Sequence, residues 1–482
     1  MPLHSRAPPP LGTATRNAPA PRRTGLGLFP WSSRTTGPAA VAASAPAAVA
    51  RGPTPRSKHT VTRKQRLRST VVLTAALTCV LTACGGETGT TADDGPVDAN
   101  GVTTGPGVTD STITLGVLTD LSGPYGPLGR SVLQAEKLYV DQVNATGGVC
   151  GRKLKLLVRD HGYDVEKAVV QYNEMEPRIA AMPGLLGSSI INVLLDNITN
   201  DDVMTTSLGY SSNLLGQHTL TTINTTYDID MVNGFEYLVE TRGLGRGDRI
   251  GYLYLDGDYG SNARRGARFV ADKRGLTLVE KKVGDTREDL SREVRELAES
   301  GVKAVLISTS PPQTASAVGT AAAIGLDVPF LGSAVGFDPR LLKTPAAPAL
   351  LKMLELVAPT PALSSDAPEA GKLVADYRRR YPGSPLDQGL VTGHNSMAVA
   401  VQDLKSACGA KDLSRTGIVE AHRRQKEYDP GLGPALDFSD AWQPSATQSY
   451  IVKPRQGVPG GLAGVRDAFK VPLVAEYIAV MI

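Results

Sequence analysis

Short apolar runs alternate with longer amphipathic segments from Ser111 onward. The first run, Ser111–Leu118, is β-branched and apolar, which predicts a strand. A turn is predicted over Thr119–Gly129, and apolar residues at helical spacing predict a helix over Arg130–Asn144. Buried strands that alternate with helices indicate a parallel sheet covered on both faces, so the predicted fold class is α/β.

The alternation runs to Ser207 and restarts after Asp228, which predicts two units of similar size. The first unit contains further strands over Lys153–Arg159, Met182–Leu186 and Val203–Ser207, and helices over Asp164–Ile179 and Ser188–Thr199. The second contains strands over Arg249–Leu255, Leu276–Val283, Ala304–Ser308 and Val328–Leu331, and helices over Asp230–Arg242, Ser261–Arg274, Arg287–Ser300 and Gln313–Ile324.

The pattern is interrupted by a proline-rich stretch, Thr344–Pro368. Beyond it we predict helices over Glu369–Tyr381, Thr392–Ala407 and Arg415–Arg424, a loop over Asp429–Phe438 that enters a strand, and a last strand over Gln448–Lys453. Residues 455–482 show no clear pattern and are interpreted as a C-terminal tail.

Two doubly wound lobes that face each other would bind a ligand at the carboxyl ends of their strands. The loops predicted at that edge are rich in Ser, Thr, Gly and Tyr: Thr119–Gly129, Gly187–Ser189, Ser207–Ser212, Thr225–Asp228, Asp256–Gly260 and Ser308–Pro312. Tyr125 in the first loop is a candidate ligand contact. Ser188 and Ser189 begin a predicted helix, a position that favours an anion or carboxylate, although helix capping explains two serines equally well.

An apolar segment lies before these elements in the chain, and this segment, Val71–Ala83, contains no charged residue. It is shorter than the roughly 20 residues that span a bilayer, and it suits the core of a secretory signal peptide, which is about 7–15 residues long. Basic residues precede it, and small residues lead into Cys84, an arrangement that resembles the bacterial lipobox. We therefore predict a signal peptide over 61–83 and a lipid on Cys84; the alternative is a short buried helix that contains a cysteine.

Residues 1–60 are rich in Pro, Ala, Arg and Ser and cannot bury enough apolar surface to order themselves. They are interpreted as a disordered extension or as a mis-annotated start, with Val61 as the true first residue. Residues 84–110, rich in Gly, Thr and Asp, are predicted to be a flexible tether.

Removal of residues 1–83 changes the charge of the protein. They hold 12 of the 51 basic residues and no acidic one, so the remaining chain has 39 basic against 47 acidic residues, a net charge of about −8. No basic stripe is interleaved with aromatics, so nucleic acid is not an expected partner. Cys150 and Cys408 would remain as an even pair in an exported protein, which favours a disulfide over two free thiols.

Four stretches, ITLGVLTDLSGPYGPLG, GGVCGRKLKLLVRDHGYD, LLGSS and GYLYLDGDYGSNARRG, resemble the branched-chain amino acid-binding family, the type I solute-binding proteins of ABC importers. The resemblance covers about residues 111–453. It implies two α/β lobes joined by three crossovers, with lobe I over 111–227 plus 358–432 and lobe II over 228–357 plus 433–454. Cys150 and Cys408 would then share a lobe, which supports the disulfide.

The resemblance also implies ligand contacts. A serine in the position of Ser188 contacts the ligand carboxylate, a segment matching Leu208, Gly209 and Tyr210 supplies backbone groups and a side chain, and an aromatic in the position of Tyr259 stacks on the ligand. Asp228 at the crossover matches a further contact. A turn tyrosine is the alternative for Tyr259.

The chain departs from the family at two positions. The aromatic of the second lobe falls on Ser310, and the acidic residue that holds the ligand ammonium falls near Ala334. Because a buried ammonium without a partner is costly, an amide, a urea-like compound, a carboxylate or an apolar molecule is as good a candidate ligand as a branched-chain amino acid.

GxSxG, HExxH, Walker A and CxxC motifs are absent, and the histidines show no metal-ligand spacing, so we expect neither an enzyme nor a cofactor or metal. The predicted function is a lipid-anchored, extracytoplasmic solute-binding protein that delivers a small molecule to an ABC permease. A surface sensor with the same fold and a ligandless surface lipoprotein are the alternatives.

Overall fold

A computed structural model describes residues 95–481, which form two α/β lobes joined by three crossing segments. The predicted fold class is therefore confirmed. The predicted signal peptide, the start at Val61 and the lipidation site Cys84 lie outside the described residues.

Lobe I contains a five-stranded sheet in which all strands are parallel. In chain order its strands are β2 (Thr112–Thr119), β3 (Lys153–Asp160), β4 (Ala181–Leu185), β5 (Thr205–Ser207) and β6 (Leu220–Thr222), arranged as β3-β2-β4-β5-β6. Its helices are α1 (Gly126–Ala145), α2 (Val165–Met175), α3 (Ser188–Asn200), α9 (Pro368–Arg380), α10 (Gly389–Gly409) and α11 (Arg415–Arg423).

Lobe II contains a seven-stranded mixed sheet. Its strands are β7 (Arg249–Leu255), β8 (Thr277–Val283), β9 (Ala304–Ser308), β10 (Phe330–Ser333), β11 (Leu354–Ala358), β13 (Ser449–Pro454) and β14 (Leu462–Phe469), arranged as β14-β13-β11-β10-β9-β7-β8. The last two strands of the chain are antiparallel to their neighbours. Its helices are α4 (Tyr227–Arg242), α5 (Asp258–Arg274), α6 (Ser291–Glu299), α7 (Pro311–Ala323), α8 (Ala347–Met353) and α12 (Leu473–Met481).

The chain crosses between the lobes after β6, after β11 and after α11. Helix α4 belongs to lobe II, where it packs on β10, β11 and β13. Helix α10 packs along α1 and completes lobe I. These crossings place the carboxyl ends of the parallel strands of the two sheets on either side of one cleft.

The predicted tether differs from the structure over residues 95–110. Strand β1 (Thr103–Thr104) pairs in parallel with β12 (Asp412–Leu413), Val102 is buried, and Asp98 forms an ion pair with buried Arg152. The composition of this segment suggested flexibility, but pairing with distant residues fixes it on lobe I.

The C-terminal third contains three further differences. The proline-rich stretch forms α8 and β11, because Pro348 lies in the first turn of α8, where a missing backbone N–H costs nothing. Residues 455–481 are not a tail: β14 and α12 are integral to lobe II. The loop predicted to enter a strand forms only an isolated bridge between Tyr428 and Leu436.

A disulfide joins Cys150 and Cys408, as predicted, with their Cα atoms 6.1 Å apart. It links the loop between α1 and β3 to the last turn of α10. None of the helices within residues 95–481 is long and apolar enough to cross a membrane.

Candidate ligand-binding site

A cavity of about 310 Å³ lies between the lobes, at the carboxyl ends of the strands. Lobe I contributes the loops after β2, β3, β4 and β5, together with the start of α10. Lobe II contributes the starts of α5 and α7 and the segment after β10. The cleft predicted from strand topology is therefore present and has a volume suited to a small ligand.

Five of the predicted site residues line this cavity: Tyr125, Ser188, Leu208, Tyr210 and Tyr259. The tyrosines come from both lobes. The Tyr259 hydroxyl lies 2.8 Å from the hydroxyl of Ser333, which fixes its ring at the wall of lobe II.

The other predicted residues lie outside the lining. Ser189 is exposed on α3, because it follows Ser188 on the helix and faces another direction. Gly209 lies behind Ser188: a Cβ atom at Gly209 would be 2.7 Å from the Ser188 hydroxyl oxygen. Ser310 caps α7, where its backbone N–H and its hydroxyl both donate to Oε1 of Gln313 at 3.1 and 3.0 Å.

The structure also places Asp228 away from the cavity. Its buried carboxylate accepts hydrogen bonds from Ser212, Thr226, Asn262 and Tyr477. These partners belong to both lobes and to the last helix, so Asp228 fastens the first crossing segment.

One end of the cavity presents hydroxyl groups. Ser188 is the first residue of α3, and Tyr210, Tyr227 and Thr392 lie nearby in the lining. The Tyr210 hydroxyl has no hydrogen-bond partner among the described residues. Burial raises the pKa of Tyr210 to about 12 and also raises that of Tyr227, so both phenols remain protonated donors at neutral pH.

The tyrosines form two aromatic clusters in the lining. Tyr227 packs against Tyr210 and Tyr259 with ring centroids 5.8 and 4.7 Å away, and Tyr125 packs against Tyr163 at 5.0 Å. Both contacts of Tyr227 are edge-on, a favourable geometry for aromatic pairs.

Apolar side chains also line the cavity. We call the apolar arm the set that comes from α1 in lobe I and from the segment after β10 in lobe II: Leu128, Val132, Val335, Phe337 and Leu341. The lining therefore combines hydroxyl donors with aliphatic and aromatic carbon.

Three charged residues complete the lining. Arg340 forms a two-pronged ion pair with Asp338, with Nε 2.8 Å from Oδ1. Asp387 accepts a hydrogen bond of 2.7 Å from the Ser131 hydroxyl and one of 3.0 Å from the Gly389 backbone N–H. Burial raises the pKa of Asp387 to about 7. Both carboxyl groups are thus already engaged by the protein.

Two kinds of lining residue were missed at the sequence level. Tyr163 lies in the loop after β3, which the rule that ligands bind at strand ends also selects. Phe337 and Leu341 follow β10 and obey that rule too. Asp387 could not be found in this way, because the second segment of lobe I, which returns after β11, brings it to the cavity through tertiary packing.

Comparison with protein families matches residues 112–458 to the family described as periplasmic binding protein. Comparison with curated proteins gives no match. Among solved structures, the chain is similar to a fatty acid ABC transporter substrate-binding protein from Thermomonospora curvata, with 40% identity and a TM-score of 0.78 over 79% of this chain and 98% of that one.

More distant structures share the fold. A branched-chain amino acid ABC transporter protein from Thermus thermophilus with bound valine has 19% identity and a TM-score of 0.69, over 77% of this chain and 99% of that one. A leucine-binding protein from Thermotoga maritima has 14% identity and a TM-score of 0.64, over 73% and 98% of the two chains.

Two lobes that enclose a cavity at facing strand ends define a solute-binding protein. This chain belongs to the periplasmic binding protein family, in the type I branch of ABC transporter substrate-binding proteins. It captures a small solute between its lobes for delivery to an ABC importer. Members of this family are binding proteins rather than enzymes.

Proposed function

We propose that the solute is an alkyl carboxylate of the fatty-acid type, with its carboxylate at the hydroxyl end of the cavity and its chain in the apolar arm. One observation carries this proposal: the cavity joins neutral hydrogen-bond donors to an apolar arm, and both carboxyl groups in its lining are already engaged. The relative from Thermomonospora curvata, named for a fatty acid, supports the same ligand class.

An amino acid is a poor fit because its ammonium would lack a partner. Ala334 lies in the lining, near the position at which the family resemblance places an acidic residue. Asp338 is paired with Arg340, and Asp387 with Ser131 and Gly389. A desolvated ammonium without a carboxylate partner costs several kcal/mol, roughly.

A carboxylate suits the hydroxyl end. The amino terminus of α3, a helix of 13 residues, offers unpaired backbone N–H groups and the positive end of the helix dipole. The hydroxyls of Ser188, Tyr210 and Tyr227 can add donors. We assign Leu208 and Tyr259 to the walls that flank this group, and Tyr125 to the entrance side of lobe I.

The site is proposed to operate at the outer face of the cell membrane. A lipid on Cys84 would hold the protein there after removal of residues 61–83, and residues between Cys84 and the folded lobes would serve as the tether. The lobes would close on the ligand and dock together on the permease.

The proposal is tested with purified protein from which any bound lipid has been removed. Three probes are compared: dodecanoate, dodecylamine and leucine. Because a ligand that binds only the native state raises the thermal midpoint, dodecanoate is expected to raise it and the other two are not. A shift with leucine alone would overturn the proposed ligand class, and no shift with a range of alkyl carboxylates would overturn the proposal as a whole.

Neighbouring serines provide a matched pair of variants. Ser188→Ala removes a hydroxyl from the cavity and is expected to weaken dodecanoate binding by about tenfold, the effect of one lost hydrogen bond to a charged group. Ser189→Ala changes an exposed residue on the same helix whose hydroxyl bonds to Tyr163 and lies outside the cavity lining, so it is expected to weaken binding less than Ser188→Ala does. Equal effects of the two substitutions would place the carboxylate elsewhere.

A further inference from the structure

His161 connects three strand ends of lobe I. It follows β3, and its backbone N–H donates to the carbonyl of Thr119 at the end of β2. Its ring then reaches the far side of β2, where Nε2 lies 3.0 Å from the carbonyl oxygen of Leu186, directly after β4. A residue that directly follows β3 thus holds the loop that carries the proposed carboxylate site.

The hydrogen bonds of the ring define its protonation state. A carbonyl oxygen only accepts, so Nε2 carries a proton and donates to Leu186. The other nitrogen, Nδ1, lies 2.9 Å from the backbone nitrogen of Tyr163, whose N–H donates to it. Only the neutral ring protonated at Nε2 satisfies both contacts.

Tyr163 has a backbone conformation that its own side chain disfavours. Its φ is 64°, in the left-handed region, which is uncommon for a bulky residue. In this conformation its ring lines the cavity, packs against Tyr125, and covers Gly187 so closely that a Cβ atom there would lie 2.7 Å from Tyr163 Cε2. The hydrogen bond from Tyr163 N–H to His161 supports this strained turn.

We propose that His161 is a positioning residue for ligand binding: its neutral ring holds Tyr163 in the left-handed conformation that completes the lobe I wall, and protonation of Nδ1 releases that wall. The added proton would face the N–H of Tyr163, so the two donors would repel each other. The protein would then lose affinity for its ligand in acid. This inference rests on the proposed function for its ligand probe alone.

The groups around the ring shift the pKa of His161 in both directions. Burial lowers the pKa of His161, and Lys167 on α2 lowers it further, whereas the carboxylates of Asp120 after β2 and Asp160 in β3 raise it, as does the hydrogen bond to Leu186. Because burial is the largest effect, the ring is neutral at pH 7 and the release is expected only below the ordinary histidine range of about 6.5.

The tautomer is tested without any ligand. In ¹⁵N-labelled protein, long-range proton–nitrogen spectra distinguish a ring protonated at Nε2 from one protonated at Nδ1. The His161 signals, assigned by their loss in a variant, are expected to show Nε2–H and an unprotonated Nδ1 at pH 7. A ring protonated at Nδ1, or at both nitrogens, would overturn the proposal whatever the protein binds.

Two substitutions of His161 distinguish its contact with Tyr163, which would position the ligand-binding wall, from its contact with Leu186, which would only hold the strand ends together. His161→Asn keeps an acceptor near the place of Nδ1 and loses the donor to Leu186, whereas His161→Gln keeps a donor near the place of Nε2 and loses the acceptor for Tyr163. We expect His161→Asn to bind dodecanoate within about threefold of wild type, and His161→Gln to bind about tenfold more weakly. The reverse order would show that the ring only braces the loops.

The pH profile gives a third readout. The ratio of dodecanoate affinities of the wild type and His161→Asn cancels titration of the probe itself. It is expected to be constant from about pH 8 to about pH 6.5 and to fall in acid, where only the wild type acquires a proton at this position. A ratio independent of pH would overturn the release step. If dodecanoate binds neither protein, the ligand class is wrong, and the tautomer measurement still decides the role of His161.

Discussion

The hydroxyl of Tyr477 donates a hydrogen bond of 2.9 Å to Oδ2 of Asp228 and thereby ties the last helix of the chain to the first crossing segment. Both residues are buried. Burial and the adjacent carboxylate raise the pKa of the Tyr477 hydroxyl, so it remains a donor. Ser212 of lobe I donates to the same oxygen of Asp228. The C-terminal helix α12 is therefore connected to the point at which the two lobes join.

Tyr477→Phe removes this hydrogen bond while keeping the ring. Because the acceptor is a charged group, we expect the free energy of unfolding to fall by about 1.5–3 kcal/mol in denaturant titrations. Tyr450→Phe is the control, since Tyr450 is half-buried and only burial, Asp467 and Asp429, and no hydrogen bond, act on the pKa of its hydroxyl. An equal loss in the two variants would mean that the contact with Asp228 adds nothing to stability.

Because of the disulfide, the free energy of unfolding is expected to depend on whether the protein is oxidised or reduced. Cys150 and Cys408 are 258 residues apart, so the bond restricts the unfolded chain strongly. Replacing both cysteines with alanine is expected to lower the free energy of unfolding by about 2–4 kcal/mol. A reductant should destabilise the wild type and leave the double variant unchanged. Ligand affinity should be retained in both, because neither cysteine lines the cavity.

Ionisation of Glu136 is expected to make the folded protein less stable as the pH rises. It lies on α1, fully buried, and neither carboxyl oxygen has a hydrogen-bond partner among the described residues. Burial raises the pKa of Glu136 from 4.5 to about 8. Between these values the folded protein binds more protons than the unfolded chain, so this group lowers stability by about 1.4 kcal/mol per pH unit as the pH rises.

Glu136→Gln removes the titrating group and keeps the shape of the side chain. We expect the variant to match the wild type in stability near pH 4.5 and to exceed it increasingly towards pH 8, as measured by denaturant unfolding at each pH. The buried carboxyl groups of Asp230 and Asp387, whose pKa values are raised to about 7, continue to titrate and give the residual slope. Parallel curves for the two proteins would refute the assigned pKa of Glu136.

Ala334 provides a test of ligand charge. Ala334→Glu places a carboxylate in the lining, and is expected to weaken dodecanoate binding by at least about tenfold through desolvation and charge repulsion. Ala334→Gln adds a side chain of the same size without charge, so it measures the steric part of the effect. Equal losses in the two variants would show that size, rather than charge, controls this position.

The pattern of apolar and polar residues is enough to predict the fold class, the two-lobed plan and the edge at which a ligand binds. Apolar strands and amphipathic helices carry this information locally, and strand direction then fixes where the loops meet. The edge loops predicted in this way contain Tyr125, Ser188 and Tyr259, which line the cavity, whereas the ligand roles expected of Ser188 and Tyr259 came from the family resemblance. The disulfide was predicted separately, from the two cysteines that remain after the signal peptide and Cys84 are set aside.

Tertiary structure alone decided which neighbours of these residues face the ligand and how the chain ends pack. Ser188 and Ser189 look alike in the sequence, yet helix rotation buries one and exposes the other. Asp228 lies at the predicted crossover, but contacts from Ser212 and Tyr477 direct its carboxylate away from the cavity. The apolar arm combines Val132 of α1 with Val335 after β10, residues 203 positions apart, and no local pattern encodes such a combination.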